Sequence, residues 1–477
     1  MSENSSPAFA KMSTQSAQMT GWRSSATDAP YLVAHLQRFR AQILRDYPLR
    51  DIIVLGMGGS ALGARVMIDQ HAAQLQQLGV RIRIVDTTEP STIIAILNDF
   101  DAQRGLVIAA SKSGSTIEPL CLMQVFFQHL SQVLGSPTAA AQHFVSISDE
   151  DTALTRLARA QNWRGALVSP ADVGGRFSVM TAFGLAPLVL AGVDISEVLP
   201  SAADMQKRCL SDERCPAWQL ATSLYQNYAE GRDKLLISYS DQATESFARW
   251  LEQLIAESLG KEGKGLIPLP MTGVRADKLQ YRGLSDLQSI TCAPRTAAAL
   301  GAELIRWMFA VEHLAHYLQV DPFDQPNVEA VKTATRRALD ITTAGYPGGL
   351  KEFSRDSRIA CAHQLPDLVQ QESYLVLMSW APETPENLAA LEQLAADLEE
   401  CYQRPAVIAA GPHYLHASGQ LYKGGPDSGI YLLLSQETEG DLPIPGAPYS
   451  LRQLYHAAFA GDLDVMLTRG RPLVRMN

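Results

Sequence analysis

A chain of 477 residues has room for two or three domains with full cores. Hydrophobic residues make up 46% and charged residues 19%, the balance of a soluble globular protein. The formal net charge of -10 argues against a nucleic-acid or anionic-membrane partner, because nothing draws the bulk surface to phosphate backbones. No apolar run reaches membrane-spanning length, and the opening "MSENSSPAFAKMSTQS" lacks the apolar core of a secretory signal. The 6 cysteines are scattered, without a C-x-x-C pair or Cys/His metal spacing. The expectation is a cytoplasmic protein with reduced thiols and no metal.

Taken in chain order, residues 1–48 read as a polar start followed by a helix, with helical spacing of apolar residues in "APYLVAHLQRFRAQILRDY". From residue 51 the texture changes to short β-rich runs, "DIIVLG", "VRIRIVD", "GLVIAAS" and "HFVSISD", separated by longer helical patterns. Strands alternating with crossover helices predict a parallel sheet covered on both faces. "GRFSVMTAFGLAPLVLAG" reads as a buried helix rich in small residues that closes this unit. A second unit opens at "DKLLISYS" with the helix "ESFARWLEQLIAES", and later strands are expected at "YLVLMSW", "AVIAAG" and "GIYLLLS". "TAGYPGGLKEFSRDS" reads as a connector. The predicted class is α/β, divided into an N-terminal helical segment (1–48), a first domain (49–198) and a second with a C-terminal extension (199–477).

Two loops carry the chemistry. "GMGGSA" follows the first strand and includes Gly58, Gly59 and Ser60; no lysine follows it, as a nucleotide P-loop requires. Gly56, Gly58 and Ala61 also satisfy the dinucleotide fingerprint, and Asp86 ends the next strand where a ribose-binding acid could sit, so a dehydrogenase is a rival. A lone fingerprint is equally a tight strand-to-helix turn. After the third strand, "AASKSGSTIEPL" packs Ser111, Ser113, Ser115 and Thr116 into one turn before a helix. Serines there can be simple N-caps, but four hydroxyls around a glycine exceed what capping needs. Hydroxyls with helix N-terminal amides suit a phosphate monoester. Loops at the C-terminal ends of parallel strands converge on the usual ligand crevice. The expected ligand is a sugar phosphate, held without metal or cofactor.

Five segments, in order, resemble glucose-6-phosphate isomerase: "GMGGSALG", "SKSGSTIEP", "GGRFSVMTAFG", "QLIAESLGKEGKG" and "DPFDQPNVEAVK". The likeness spans roughly residues 20–475 and is nearest the isomerase half of bacterial transaldolase/glucose-6-phosphate isomerase fusions. It implies two sugar-isomerase (SIS) domains, each a three-layer αβα sandwich with a mainly parallel sheet. It also implies phosphate binding by Ser60, Ser111, Ser113 and Thr116, Arg176 beside the reacting carbons, and Glu257 as base with Gln253 one turn before it. Gln325 and Lys332 come from the last segment. The family's ring-opening histidine follows the catalytic glutamate in a "GQH" segment; here "LPMTGVRADKLQYRGLSD" has no histidine. His416, before "GQ" in "YLHASGQLYKGG", is the candidate replacement. The likeness implies a homodimer, while the altered histidine segment is compatible with a site complete in one chain.

Apart from the resemblance, the residue types are compatible with the reaction and with ordinary structural roles. Aldose–ketose isomerisation needs a base that moves a proton between adjacent carbons, and Glu257 sits on an amphipathic helix before a glycine-rich exit. It also reads as a helix-surface acid pairing with Lys261 at i, i+4. Arg176 offers a cation that cannot be neutralised for the developing oxyanion, or else ties loops together. His416 and Lys332 are the ring-opening pair; His413 and Lys423 are nearby alternatives, and each of the first two also reads as an ordinary loop or helix-face residue. "EHLAH" lacks zincin spacing and reads as helix packing. The predicted activity is reversible isomerisation of D-glucose 6-phosphate to D-fructose 6-phosphate. The alternatives are a bifunctional enzyme that also takes mannose 6-phosphate and a non-catalytic sugar-phosphate sensor.

Overall fold

The computed structural model describes residues 16–476 apart from 213, 292, 293, 295, 344–349 and 351–354. The first sheet holds β1 (Asp51–Leu55), β2 (Arg81–Val85), β3 (Gly105–Ala110), β4 (Phe144–Asp149) and β5 (Gly165–Ser169). All neighbours are parallel, in the order β2-β1-β3-β4-β5. Every residue of β1 and β3 is buried, which is why these two strands are unbroken aliphatic runs rather than alternating ones. Chain order reverses between β1 and β3, and the loops leaving these strands therefore border one crevice. Those loops are "GMGGSA" and "SKSGST". The four expected strands are present; β5, a partly exposed edge strand, carries too weak a pattern to be read in advance.

Beyond residue 198 the strands form two further parallel sheets. One is β7-β6-β8, from β6 (Lys234–Tyr239), β7 (Ile267–Thr272) and β8 (Leu287–Thr291). The other runs β11-β10-β12-β13-β9, from β9 (Ala360–Cys361), β10 (Tyr374–Trp380), β11 (Ala406–Ala410), β12 (Gly429–Ser435) and β13 (Leu473–Arg475). Leu236, Leu269 and Met271 of the smaller sheet share one apolar cluster with Val376, Met378 and Val407 of the larger. The α/β class with parallel sheets thus holds throughout.

The helix Gln242–Leu259 is buried over nearly its whole length, and its core face joins that of the first sheet. The small-residue run forms the fully buried helix Ala182–Ala191, while "GRF" before it is a separate 3-10 turn, Gly175–Phe177. Residues 16–23 pack as two 3-10 turns rather than as loose chain. Trp22 is the reason: it is fully buried, with Phe177 at 4.9 Å and Phe309 at 4.7 Å between ring centres. The expected connector at 343–357 falls largely outside the described residues. No helix among the described residues is long and apolar enough to cross a membrane.

Candidate functional site

A cleft of about 810 Å³ opens at the switch point of the first sheet. Gly58, Gly59, Ser60, Ser113 and Thr116 line it together with Arg176, Gln253, Glu257, Gln325, Lys332 and His416. The glycines are needed for close approach. Gly58 has φ +53, and a Cβ there would lie 2.4 Å from the carbonyl oxygen of His416. A Cβ at Gly59 would lie 2.3 Å from the carbonyl carbon of Gly175. Loops from three distant parts of the chain are thereby brought into backbone contact.

In the second loop, Ser111 is buried and its hydroxyl donates to Thr116 Oγ1 at 3.2 Å. It braces Thr116 from behind and does not line the cleft. Thr116 occupies the N-cap position of the helix Ile117–Val133 and lines the cleft, yet its side chain makes no capping bond, so the first-turn N–H groups are not capped from that side chain. Ser113 and Ser115 share a hydroxyl contact of 2.9 Å; Ser113 faces the cleft and Ser115 a side pocket of about 30 Å³. Lys112, which the hydroxyl-based reading overlooked, also lines the cleft, with Nζ bonded to Asp149 and to the carbonyl of Pro170 at 2.7 Å. Burial lowers its pKa by more than Asp149 restores.

At the floor, Glu257 is buried and held on both oxygens. Arg176 Nη1 lies 3.1 Å from Oε1, and Gln253 Nε2 donates to Oε2 at 3.1 Å. With its amide nitrogen turned inward, Gln325 donates to Glu257 Oε1 at 2.7 Å and accepts from Arg176 Nη1 at 2.8 Å. Arg176 is itself buried, and its Nη2 donates to the carbonyl of Pro322 at 2.6 Å. Gln253 also donates to the carbonyl of His416 at 2.7 Å, tying the base's helix to the histidine turn. Lys261 pairs with Asp324 and not with Glu257, so the helix-surface reading of Glu257 does not hold.

His416 ends a 3-10 turn, His413–His416, and its Nε2 lies 3.0 Å from Oε1 of Glu118, on the first turn of the helix Ile117–Val133. Burial pushes the Glu118 carboxyl up, but His416, their hydrogen bond and Lys332 outweigh it and hold the carboxyl below its ordinary range. The sequence reading did not single out Glu118; its place two residues after the hydroxyl turn was the available signal. Lys332 lines the same end of the cleft and pairs with Glu329 at 2.7 Å. Lys423, the alternative cation, is sealed in the interior against Asp462 at 2.6 Å, and His413 faces Asp86 at 3.7 Å.

Residues 43–265 match the family model for phosphoglucose isomerase. Over 222 residues the chain is 36% identical to a glucose-6-phosphate isomerase of Staphylococcus saprophyticus, covering 45% of this chain and 50% of that protein. Over 223 residues it is 34% identical to that of Staphylococcus aureus, covering 46% and 50%. The chain thus spans about half the length of the curated relatives it matches. It superposes on a hypothetical protein of Thermus thermophilus with TM-score 0.60 and 24% identity, over 68% of this chain and 90% of that one. It superposes on a glucose-6-phosphate isomerase of Chlamydia trachomatis with TM-score 0.52 and 19% identity, over 67% and 74%. These structural likenesses speak to the fold. The phosphoglucose isomerase match takes in both hydroxyl loops, Arg176, Gln253 and Glu257; Gln325, Lys332 and His416 lie beyond it and enter the site by geometry alone.

The acid on which the dehydrogenase rival relied, Asp86, is paired with a cation. Asp86 receives Arg65 Nη2 on both carboxylate oxygens at 3.0 Å, and burial, which raises its pKa, is outweighed by Arg65 and His413. The carboxylate is thus engaged by a protein cation in this structure. In "EHLAH", Glu312 pairs with Arg23 at 2.5 Å and burial lowers the His313 pKa to about 4, so the segment packs as expected. Among the described residues no group of three His, Cys, Asp or Glu side chains could hold a metal ion.

Proposed function

We propose that the chain interconverts D-glucose 6-phosphate and D-fructose 6-phosphate by proton transfer through an enediolate. The observation that carries this reading is the buried Glu257, held by Arg176, Gln253 and Gln325 in a cleft that the hydroxyl residues Ser60, Ser113 and Thr116 also line. The phosphate sits against Ser60, Ser113, Thr116 and the first turn of the helix Ile117–Val133, where backbone N–H groups favour an anion. His416 and Lys332 serve the ring oxygen and anomeric hydroxyl, with Glu118 orienting the imidazole. In the open chain, Glu257 takes the C2 proton of the aldose and returns it to C1, and Arg176 stabilises the oxygen that becomes negative. Arg176 is well suited because its charge is permanent and its position is set by the Pro322 carbonyl.

Glu118, Arg176, Glu257, Gln325 and His416 all come from one chain, which supports turnover without a second copy even if the protein dimerises. The order of motifs supports a relationship to the isomerase half of transaldolase fusions. Free cysteines at 121, 209, 215, 361 and 401 support a reducing, cytoplasmic setting. The test is purified protein with fructose 6-phosphate and, separately, mannose 6-phosphate, with glucose 6-phosphate followed through a coupled dehydrogenase. Turnover of fructose 6-phosphate supports the reading, and turnover of both supports the bifunctional form. Saturable binding of a sugar phosphate without turnover would instead establish the sensor.

A further inference from the structure

Lys261 stands one turn after Glu257, and nothing in the reaction as described uses it. Its side chain is 5% exposed and its ammonium is spent on one short loop. Nζ donates to the carbonyl of Asp321, to the carbonyl of Asp324 at 2.7 Å and to Asp324 Oδ1 at 2.6 Å. These are all three donors an ammonium has. The lysine's own backbone is fixed in turn: its N–H donates to Leu259 O at 2.9 Å and Lys264 O at 3.1 Å. The preceding Gly260 is so close to Leu421 that a Cβ would lie 2.6 Å from its Cα. A rigid anchor therefore grips this loop, whose other ties include Arg176 to the Pro322 carbonyl and the Phe323 ring against Phe177 at 5.3 Å. The residue at the end of that loop is Gln325, whose amide spans Glu257 and Arg176.

We propose that Lys261 is a positioning residue: in its ammonium form it holds the 321–325 loop so that Gln325 stays between Glu257 and Arg176, and loss of its proton slackens the loop and slows turnover. The inference rests on the isomerase reading of this site. The chemistry is a count of donors. A neutral amine keeps two N–H bonds and presents a lone pair, so it cannot serve three oxygen acceptors at once. The charged groups around Lys261 come from every side. Arg176 approaches from the Gly175–Phe177 turn, Asp321 and Asp324 lie on the loop, and Glu257, on the helix that ends just before Lys261, is turned to Arg176. Lys264 is engaged with the Leu318 carbonyl, and Lys423 on the facing segment with Asp462. Burial, then Arg176, favours the neutral form; the two aspartates oppose them, and the net effect lowers the Lys261 pKa to about 8. The ammonium therefore predominates at neutral pH and is lost just above it.

The experiment is kcat and KM against pH for the full-length wild type, Lys261→Arg and Lys261→Met, with hydrogen exchange of the 321–325 peptide at matched pH. In the wild type, kcat falls above about pH 8 as one proton leaves. Neither variant can titrate there, so both lose this limb. Below about pH 8 Lys261→Met is slower by about 10²-fold, the order expected when a supporting group is displaced by an ångström, and the gap narrows above it as the wild type loses the same anchor; KM changes little because the phosphate-binding loops are separate. Its loop exchanges faster than the wild type's. An alkaline limb at the same pH in either variant, or wild-type kcat with wild-type loop protection in Lys261→Met, overturns the proposal. If Lys261→Met does not fold, the pH profile of Lys261→Arg decides. A wild type that turns over no sugar phosphate refutes the isomerase reading instead, while the loop-exchange comparison still tests the anchor.

Discussion

Replacing Glu257 with Gln keeps the side chain's size and one carbonyl oxygen but removes the basic carboxylate. Positioned general-base catalysis contributes about 10²–10⁴ in rate, or about 3–5 kcal/mol of barrier, and kcat should fall by that factor. Folding should survive at a cost. Stripping one partner from a buried ion pair can cost about 3–5 kcal/mol, enough to matter against a total of about 5–15. Here the loss should be smaller, because the amide oxygen can still accept from Arg176 at the 3.1 Å contact and Arg176 keeps the Pro322 carbonyl at 2.6 Å. KM should change little, since Ser60, Ser113 and Thr116 belong to other loops. The assay is kcat and KM in both directions, solvent deuterium wash-in at C2, and circular dichroism with thermal melting. Wash-in should fall in step with kcat, because one carboxylate removes and returns the proton. A folded Glu257→Gln protein with near-normal kcat would refute the assignment of the base and revive the sensor reading.

Ser113→Asp puts a negative charge on the cleft wall assigned to the phosphate, and like-charge repulsion of several kcal/mol should raise KM by orders of magnitude without unfolding the protein; an unchanged KM removes the cradle assignment. Glu118→Gln should slow turnover of the cyclic substrate more than proton exchange on an open-chain analogue, because Glu118 touches His416 and not the enediolate base; equal losses would place His416 in another step. The Glu118 carboxyl is held below its unfolded pKa, so its contribution to stability is complete above about pH 4–5 and fades as pH falls through the folded value. The melting temperature of Glu118→Gln should accordingly converge on that of the wild type in acid, and a constant gap down to about pH 2 would contradict this. Gly58→Ala forces a side chain into φ +53 and against the His416 carbonyl, and should lose about 1–3 kcal/mol of stability together with activity; a neutral outcome in melting and assay would mean the loops are not packed as described.

Much of the fold is local and was legible in the amino-acid order. β1, β3, β10 and β12 are aliphatic or aromatic runs because parallel strands buried on both faces admit little else. The glycine and hydroxyl clusters announce strand-to-helix turns by the φ angles and exposed amides they require. Strand order 2-1-3 then brings two such turns together, and repeated strand–helix units already imply that convergence. Weakly patterned elements escaped: β5 is half exposed, and β9 is two residues long. The order of residues 16–23 comes from Trp22 meeting Phe177 and Phe309, far away in the chain, which no local pattern announces.

The site shows the same division more sharply. Sequence singled out Glu257, Arg176, Gln253, Gln325 and His416 as candidates, but not which of them bond to one another. If the helix ran on, Glu257 and Lys261 would be spaced to pair, but it ends at Leu259 with Gly260 as its C-cap. Only packing turned Glu257 toward Arg176 and Gln325 and sent Lys261 to Asp324, because each buried charge had to meet its counter-charge where the 321–325 loop happens to cross. Glu118 and His416 are 298 positions apart, and no spacing rule joins them. Residue types and turn geometry are properties of neighbours along the chain; which carboxylate faces which cation is decided by how separate segments exclude water together, and that exists only once the chain is folded.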